Sequence, residues 1–440
     1  MTQHTDTPAT SDTPASSGSS AEPTAHAALA VIGSGPAGVS AARAFLDAGG
    51  PGPVVMLTSD SDVPYERPPL SKDVLAGLAP AEGQPIEGKA LPEAVELRRD
   101  TTVTDVDLQA HTLQAGGQQL GFDRLIVAAG ASPNALPSAE PDAEIHLLRS
   151  LDHAQRLVTS AQHARSAVVI GSGFIGCEAA ASLARRGIQT TLVSTEEAPQ
   201  LKRLGHQAAE QITQWLVGLG VEVHTGVRVS GVQAPRTVHL DDGITLSPDL
   251  ILAAVGVTPG GGLLEGTEAM VHEGRVVADE FLLAMPGVWV AGDAARAHHG
   301  LAGRPLPVEH WGDALAMGEI AGFNAAQDAQ GHDDGHRAWE GIPGFWSTIG
   351  EHTLKYSAWG DGFESVEWVE RTGGFTAWYG DSEGRLVGVL TYNADDDYER
   401  GQALLEAGAT VTEAAAGARP ESEDDGEGGD GDTDPATPAG

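Results

Sequence analysis

The chain has 440 residues, 41% of them hydrophobic, a formal net charge of −37 and a single cysteine, Cys177. Its length allows two or three domains with sizeable cores, while its acidity argues against nucleic-acid or anionic-membrane partners. One cysteine excludes an internal disulfide and a C-x-x-C redox pair; no apolar stretch has bilayer length, and a secretory signal is absent at the N-terminus, so a cytoplasmic location is expected.

Residues 1–27 are rich in Thr, Ser, Pro and Ala and read as a disordered tail. The apolar run ALAVI then leads into Gly33-Ser34-Gly35-Pro36-Ala37-Gly38. This is a strand, a turn and a helix with the spacing G-x-G-x-x-G. The first glycine permits a tight turn, the second lets backbone approach a pyrophosphate, and the third lets helix pack on strand. Free N–H groups at the helix start face the negative charge. A second strand, VVMLT, and a Pro-rich loop, VPYERPPLSK, follow. Residues 101–113 alternate as a small antiparallel excursion does. FDRLIVAAGASP reads as a buried strand ending on small residues.

Near residue 150 the pattern restarts. SAVVI leads into Gly171-Ser172-Gly173-Phe174-Ile175-Gly176, a second turn of the same spacing. TTLV, a long helix around 205–219, VEVHTG and LILAAVGVTP complete that unit, which looks inserted within the first. FLLAMPGVWVAGDA reads as a strand ending in Gly292-Asp293. From about 336 the chain alternates around aromatic residues, as a separate antiparallel sheet does. Residues 413–440 are an acidic tail expected to be disordered. One such turn is weak evidence for a nucleotide site. Two in matching contexts point to a protein that holds two dinucleotides and passes electrons between them.

The motifs GSGPAG, YERPPLSK, VAAGASP, GSGFIGCEAA, AAVGVTP, VWVAGDAA and VEHWGDA, in that order, resemble those of FAD-dependent pyridine nucleotide reductases. Within that superfamily they are similar to the ferredoxin reductase and apoptosis-inducing-factor group. The resemblance implies an α/β fold with two nested Rossmann-like dinucleotide-binding domains, for FAD and NAD(P)H, plus a C-terminal α+β interface domain with an antiparallel sheet. Its boundaries are expected at 28–150 and 268–335 for FAD, 151–267 for NAD(P)H and 336–412 for the interface domain.

By the same resemblance, Gly33, Gly35, Pro36, Ala37 and Gly38 cradle FAD, and Asp60 takes the adenosine ribose unless it is a plain loop carboxylate. Arg67 and Lys72 contact the flavin, Lys72 pairing with Glu178; Val103, Ala129 and Gly130 line the same site. Gly292 and Asp293 hold the ribityl chain. Glu309, His310 and Trp311 open a helix whose dipole favours reduced, anionic flavin. Gly171, Gly173, Phe174, Ile175, Gly176 and Gly256 belong to the nicotinamide cofactor. Glu196 would chelate its ribose and favour NADH, although Ser194 occupies the usual place of the acid and Lys202 and Arg203 leave NADPH open. Trp346 either covers the flavin face or is a core tryptophan.

No metal site is expected: His310 and the HDDGH stretch around His332 and His336 read as polar groups. The implied activity is hydride transfer from NADH to FAD, with Lys72, Glu178 and Trp346 at the reacting centre and onward transfer to an external acceptor. A ferredoxin or Rieske-type protein is the leading acceptor, with the chain a monomer or homodimer. Thr348-Ile349 follow Phe345-Trp346-Ser347 where an Asp-Gln pair is common in the iron–sulfur reductases, and Ser132 replaces a frequent Arg. A quinone, oxygen or organic radical therefore stays open as acceptor, as does an NADH-sensing interaction role.

Overall fold

The computed structural model describes residues 25–86, 90–332, 335–360 and 362–417. Most of both expected tails lies outside them. Both tail boundaries shift: the first strand, Ala25–Ile32, already includes Ala25–Ala27, and a helix, Val411–Ala416, runs past residue 413.

That strand is almost wholly buried and occupies the centre of an eight-stranded sheet. It pairs in parallel with Val54–Leu57 on one side and Gln118–Val127 on the other. Such continuous apolar strands suit a sheet covered on both faces. Helix α1 (Pro36–Asp47) starts on Pro36, whose missing N–H costs nothing at that position. The short α2 (Asp73–Ala76) follows the Pro-rich loop. The run FLLAMPGVWV, read from sequence as one strand, is instead a hairpin of Leu283–Met285 and Val288–Val290. Gly287 turns it at a φ of 78°, which a glycine reaches without strain.

Between Gln118–Val127 and that hairpin the chain leaves for a second unit. Ser150 caps α3 (Leu151–Ala161) by accepting from the His153 backbone N–H at 3.2 Å. A four-stranded parallel sheet follows, ordered Glu222–His224, Gln189–Val193, Ser166–Ile170, Leu250–Ala253. α4 (Phe174–Arg185) and α5 (Leu201–Gly218) pack on it. The long helix begins earlier than its sequence suggests. Gly205 interrupts it at φ 81°, ψ 177°, and Tyr379 donates to the Leu204 carbonyl at 2.9 Å. The outgoing and returning segments, Ala131–Pro133 and Val257–Pro259, pair antiparallel and so join the two units at their crossing.

Helix α6 (Trp311–Ala329) returns across α1. Gly318 and Gly322 let the two backbones touch: a Cβ at either would lie under 3 Å from the Ala37 or Ala41 carbonyl. A five-stranded antiparallel sheet then forms, ordered Gly344–Ile349, His352–Ala358, Leu386–Tyr392, Gly374–Gly380, Ser365–Arg371. α7 (Asp395–Glu406) and α8 (Val411–Ala416) complete it; a reciprocal Thr410–Glu413 capping box starts α8. This sheet shares an apolar core with α4 and α5 through Ile349, Leu354, Phe375 and Leu390. It is a separate sheet that leans on the second unit for the cover of one face, while α7 and α8 cover the other. Two Rossmann-like units, one nested in the other, plus a C-terminal antiparallel sheet make up the α/β architecture.

Candidate functional site

Both glycine turns repeat one geometry. Gly33 and Gly171 have φ of 107° and 105°, where a side chain is strained. A Cβ on Gly33 would strike the Ala128 carbonyl, and one on Gly171 the Ala254 carbonyl, each under 3 Å. The third glycines behave likewise, Gly38 against the Gly33 carbonyl and Gly176 against that of Gly171. The middle glycines differ. A Cβ on Gly35 would meet nothing within 4 Å, and one on Gly173 only Gln200 Nε2 at 4.0 Å. The fold itself therefore demands the outer glycines. The middle pair leaves open space before a helix start, as an approaching phosphate requires.

A cleft of about 1140 Å³ runs from one turn to the other. Gly33, Gly35, Pro36, Ala37 and Asp60 line one end, with Arg67, Lys72, Val103, Ala129 and Gly130. Gly292, Asp293, Glu309, His310 and Trp311 also line it, Gly292 beside Ala37. Gly173, Phe174, Ile175, Glu196 and Gly256 line the other end, together with Lys202 and Arg203. Glu178 and Trp346 also face it. Gly38, Gly171 and Gly176 do not, which agrees with their role in backbone packing.

Cations and acids are paired on the walls. Asp60 accepts from the Tyr65 hydroxyl at 2.7 Å, with Arg67 Nη2 3.9 Å away. Tyr65 in turn accepts from the Leu151 N–H at 2.8 Å, tying this wall to the start of α3. Burial, and then the hydrogen bond to Asp60, push the Tyr65 hydroxyl above the usual phenol range, so it stays a donor. Burial and the neighbouring Arg149 pull Arg67 below the usual guanidinium value. Arg149 Nη2 donates to Asp293 Oδ2 at 2.6 Å, while its buried Nε has no hydrogen-bond partner among the described residues. A buried orphan donor of this kind, beside open space and a second arginine, fits an anionic ligand.

Glu178 on α4 is 2% exposed. It accepts from Lys72 Nζ at 2.9 Å and from Ser71 Oγ at 2.5 Å, both on the Pro-rich loop, and from Ser347 Oγ at 2.7 Å. Lys72 also donates to the Pro68 carbonyl at 3.1 Å. The pair expected from sequence is thus formed and nearly dry. His310 Nδ1 lies 2.8 Å from Asp313 Oδ2, which also accepts from the Gly344 N–H, so the ring is fixed at the head of α6. Glu309 forms an ion pair with Arg275. Trp346 is 43% exposed at the cleft mouth, which removes the core-tryptophan reading.

Glu196 Oε2 accepts from the Lys202 N–H at 3.1 Å, within the first turn of α5. Ser172 and Ser194 share a buried hydroxyl contact at 2.6 Å. Cys177 is fully buried, its thiol donating to the Ser172 carbonyl, and burial pushes its pKa well up. Of the HDDGH stretch, residues 333–334 lie outside the described residues. No described cluster of three or more His, Cys, Asp or Glu is arranged to hold a metal ion. No helix among the described residues is long and apolar enough to cross a membrane.

Arg149, Ser71 and Ser347 were not singled out by sequence. Only Arg149 left a signal: it is a cation at the junction of two units in a strongly acidic chain.

The sequence profile described as pyridine nucleotide-disulphide oxidoreductase matches residues 27–328. The ferredoxin–NAD(+) reductase component of the p-cumate 2,3-dioxygenase system of Pseudomonas putida is 28% identical over 379 residues, covering 84% of this chain and 90% of that protein. Mouse apoptosis-inducing factor 3 is 26% identical over 352 residues, covering 76% of this chain and 56% of that protein. The crystal structure of the covalent putidaredoxin reductase–putidaredoxin complex superposes with a TM-score of 0.79 at 25% identity, covering 90% of this chain and 99% of that one. The chain belongs to the pyridine nucleotide-disulphide oxidoreductase family.

Proposed function

We propose that this family member is an FAD-dependent NAD(P)H oxidoreductase that delivers electrons from NADH to a ferredoxin-type iron–sulfur protein. The observation that carries the reading is a single cleft joining two matched glycine turns, with the Lys72–Glu178 pair on its wall. When bound, FAD supplies an acceptor for the nicotinamide hydride and a donor of single electrons to the outside. The ferredoxin-type acceptor rests on the relatives, several of which are named as ferredoxin reductases.

The chain's own residues bind, orient and tune. Residues 25–150 and 268–335 would hold FAD, residues 151–267 NADH, and residues 336–416 would flank the acceptor. Gly33 and Gly35 at the head of α1 take the FAD pyrophosphate, and Arg149 and Arg67 offset its charge. Asp60 and Asp293 accept from sugar hydroxyls. Gly173 at the head of α4 takes the NADH pyrophosphate, and Glu196 selects against a 2′-phosphate. Lys72, held by Glu178, presents a cation in a dry wall where developing negative charge is most stabilised. Trp346 shields the mouth from water. No side chain acts as a nucleophile, in keeping with the inert, buried Cys177. A cytoplasmic setting, where NADH is supplied, belongs to the same reading.

The test is optical. Purified protein should be yellow, bleach when NADH is added without oxygen, and regain colour fastest with ferredoxin-type proteins. Colourless protein that takes up no flavin would end the reading. Faster reoxidation by oxygen or a quinone than by every iron–sulfur protein would replace the acceptor.

A further inference from the structure

We infer that Ser347 is a positioning residue for flavin reduction: its hydroxyl orients the Glu178 carboxylate and, through it, the Lys72 ammonium on the cleft wall. The inference rests on the function proposed above. Its starting point is how the three donors divide between the carboxylate oxygens. Ser71 and Lys72 both bond Oε2, at 2.5 and 2.9 Å. Ser347 alone bonds Oε1, at 2.7 Å. The terminal torsion of a glutamate is broad. Donors on one oxygen leave the carboxylate plane free to turn, and a donor on the other oxygen fixes it. A fixed plane sets the direction from which Lys72 Nζ must approach.

The carboxylate and its three donors come from three parts of the chain. Ser71 and Lys72 lie in the Pro-rich loop of the first unit, Glu178 on a helix of the second, and Ser347 on the first strand of the C-terminal sheet. Phe174, Glu178 and Ser182 form one stripe along α4, four residues apart. At one end of that stripe Phe174 meets Phe345 edge-on, with ring centroids 4.6 Å apart. At the other, Ser182 Oγ donates to the Ser71 carbonyl at 2.8 Å. Ser347 is 1% exposed and points at Glu178, while its neighbour Trp346 faces the cleft mouth. Successive residues of a strand point to opposite faces. The strand that carries the tryptophan is therefore pinned by the carboxylate that holds the lysine. Water cannot substitute readily for so deeply buried a donor.

The test uses full-length protein with its flavin. Ser347→Ala is compared with Ser347→Thr, which keeps the hydroxyl, and with Ser347→Ala made in a Lys72→Met background. Ser347→Ala should weaken the preference for reduced over oxidised flavin about tenfold, a midpoint potential about 30 mV more negative. Bleaching at saturating NADH should slow by a similar factor with KM for NADH unchanged. Ser347→Thr should restore both values, and in the Lys72→Met background Ser347→Ala should add nothing, because its effect passes through Lys72. A wild-type potential and bleaching rate in Ser347→Ala would overturn the inference, as would an equal shift without Lys72 or a change in melting temperature alone. Should Ser347→Ala fail to fold, Ser347→Cys, close in size and a weak donor, should fall between alanine and wild type; wild-type values there overturn the inference as well. Wild-type protein that binds no flavin would instead remove the parent reading, and this inference with it.

Discussion

The two glycine turns share their backbone angles at the first glycine and at the helix N-cap, and sit in different surroundings. Around the first, α6 lies backbone against backbone on α1, through Gly318 and Gly322. Arg67, Arg149, Asp60 and Asp293 close the walls. Around the second, Ile175 is 45% exposed, and the adjoining helix turns one side, Glu178 and Ser182, to other units. The same motif is enclosed in one place and open in the other. An enclosed site suits a resident cofactor, and an open one suits a ligand that must leave each turnover. The motif supplies phosphate recognition; its environment sets the residence time.

The comparison can be broken most decisively at the middle glycines, where added side chains meet no crowding from the fold. Gly35→Val should give folded but colourless protein, with flavin affinity down by about a thousandfold or more, roughly 4 kcal/mol; retained yellow colour at wild-type stoichiometry would remove that turn from the FAD site. Gly173→Val should stay yellow while KM for NADH rises on the order of a hundredfold, read from bleaching at graded NADH. If Gly173→Val lost flavin, or Gly35→Val kept it, the two turns would have been assigned the wrong way round.

A smaller effect is expected where the two sites meet. Lys72→Ala should slow bleaching at saturating NADH by about ten- to a hundredfold, with far-ultraviolet circular dichroism unchanged, since Ser71 and Ser347 still bond Glu178. An unaltered rate would take Lys72 out of the reacting centre. The smallest effect should come from Glu196→Ala, which should shift the NADH-over-NADPH ratio of kcat/KM by about tenfold toward NADPH. An unchanged ratio would mean that Lys202 and Arg203 set the choice.

The turns were legible in sequence because everything they need is local: three glycines at fixed spacing between a strand and a helix. The parallel strands were legible for a similar reason, their apolar runs being continuous. Legibility fell where partners come from afar. Ser347 and Ser71 reach Glu178 across 169 and 107 residues, and no period or spacing links serines to a distant carboxylate. Arg149 is distinguished only by the company it keeps in the fold, Asp293 and Arg67. The pairing of Ala131–Pro133 with Val257–Pro259 was equally invisible, because three-residue strands carry too little alternation to register. At Leu283–Val290 the apolar run overrode the Pro286-Gly287 turn signal, and a hairpin was read as one strand.

The buried thiol of Cys177 has a practical corollary. With its sulfur sealed beneath the second turn and burial opposing thiolate formation, the protein offers thiol-directed reagents no exposed native cysteine. A cysteine introduced anywhere on its surface would therefore be chemically unique. Spin labels or fluorophores could be attached in pairs, one on each nested lobe, with no need to engineer away a background, and the distance between them followed as the coenzyme comes and goes.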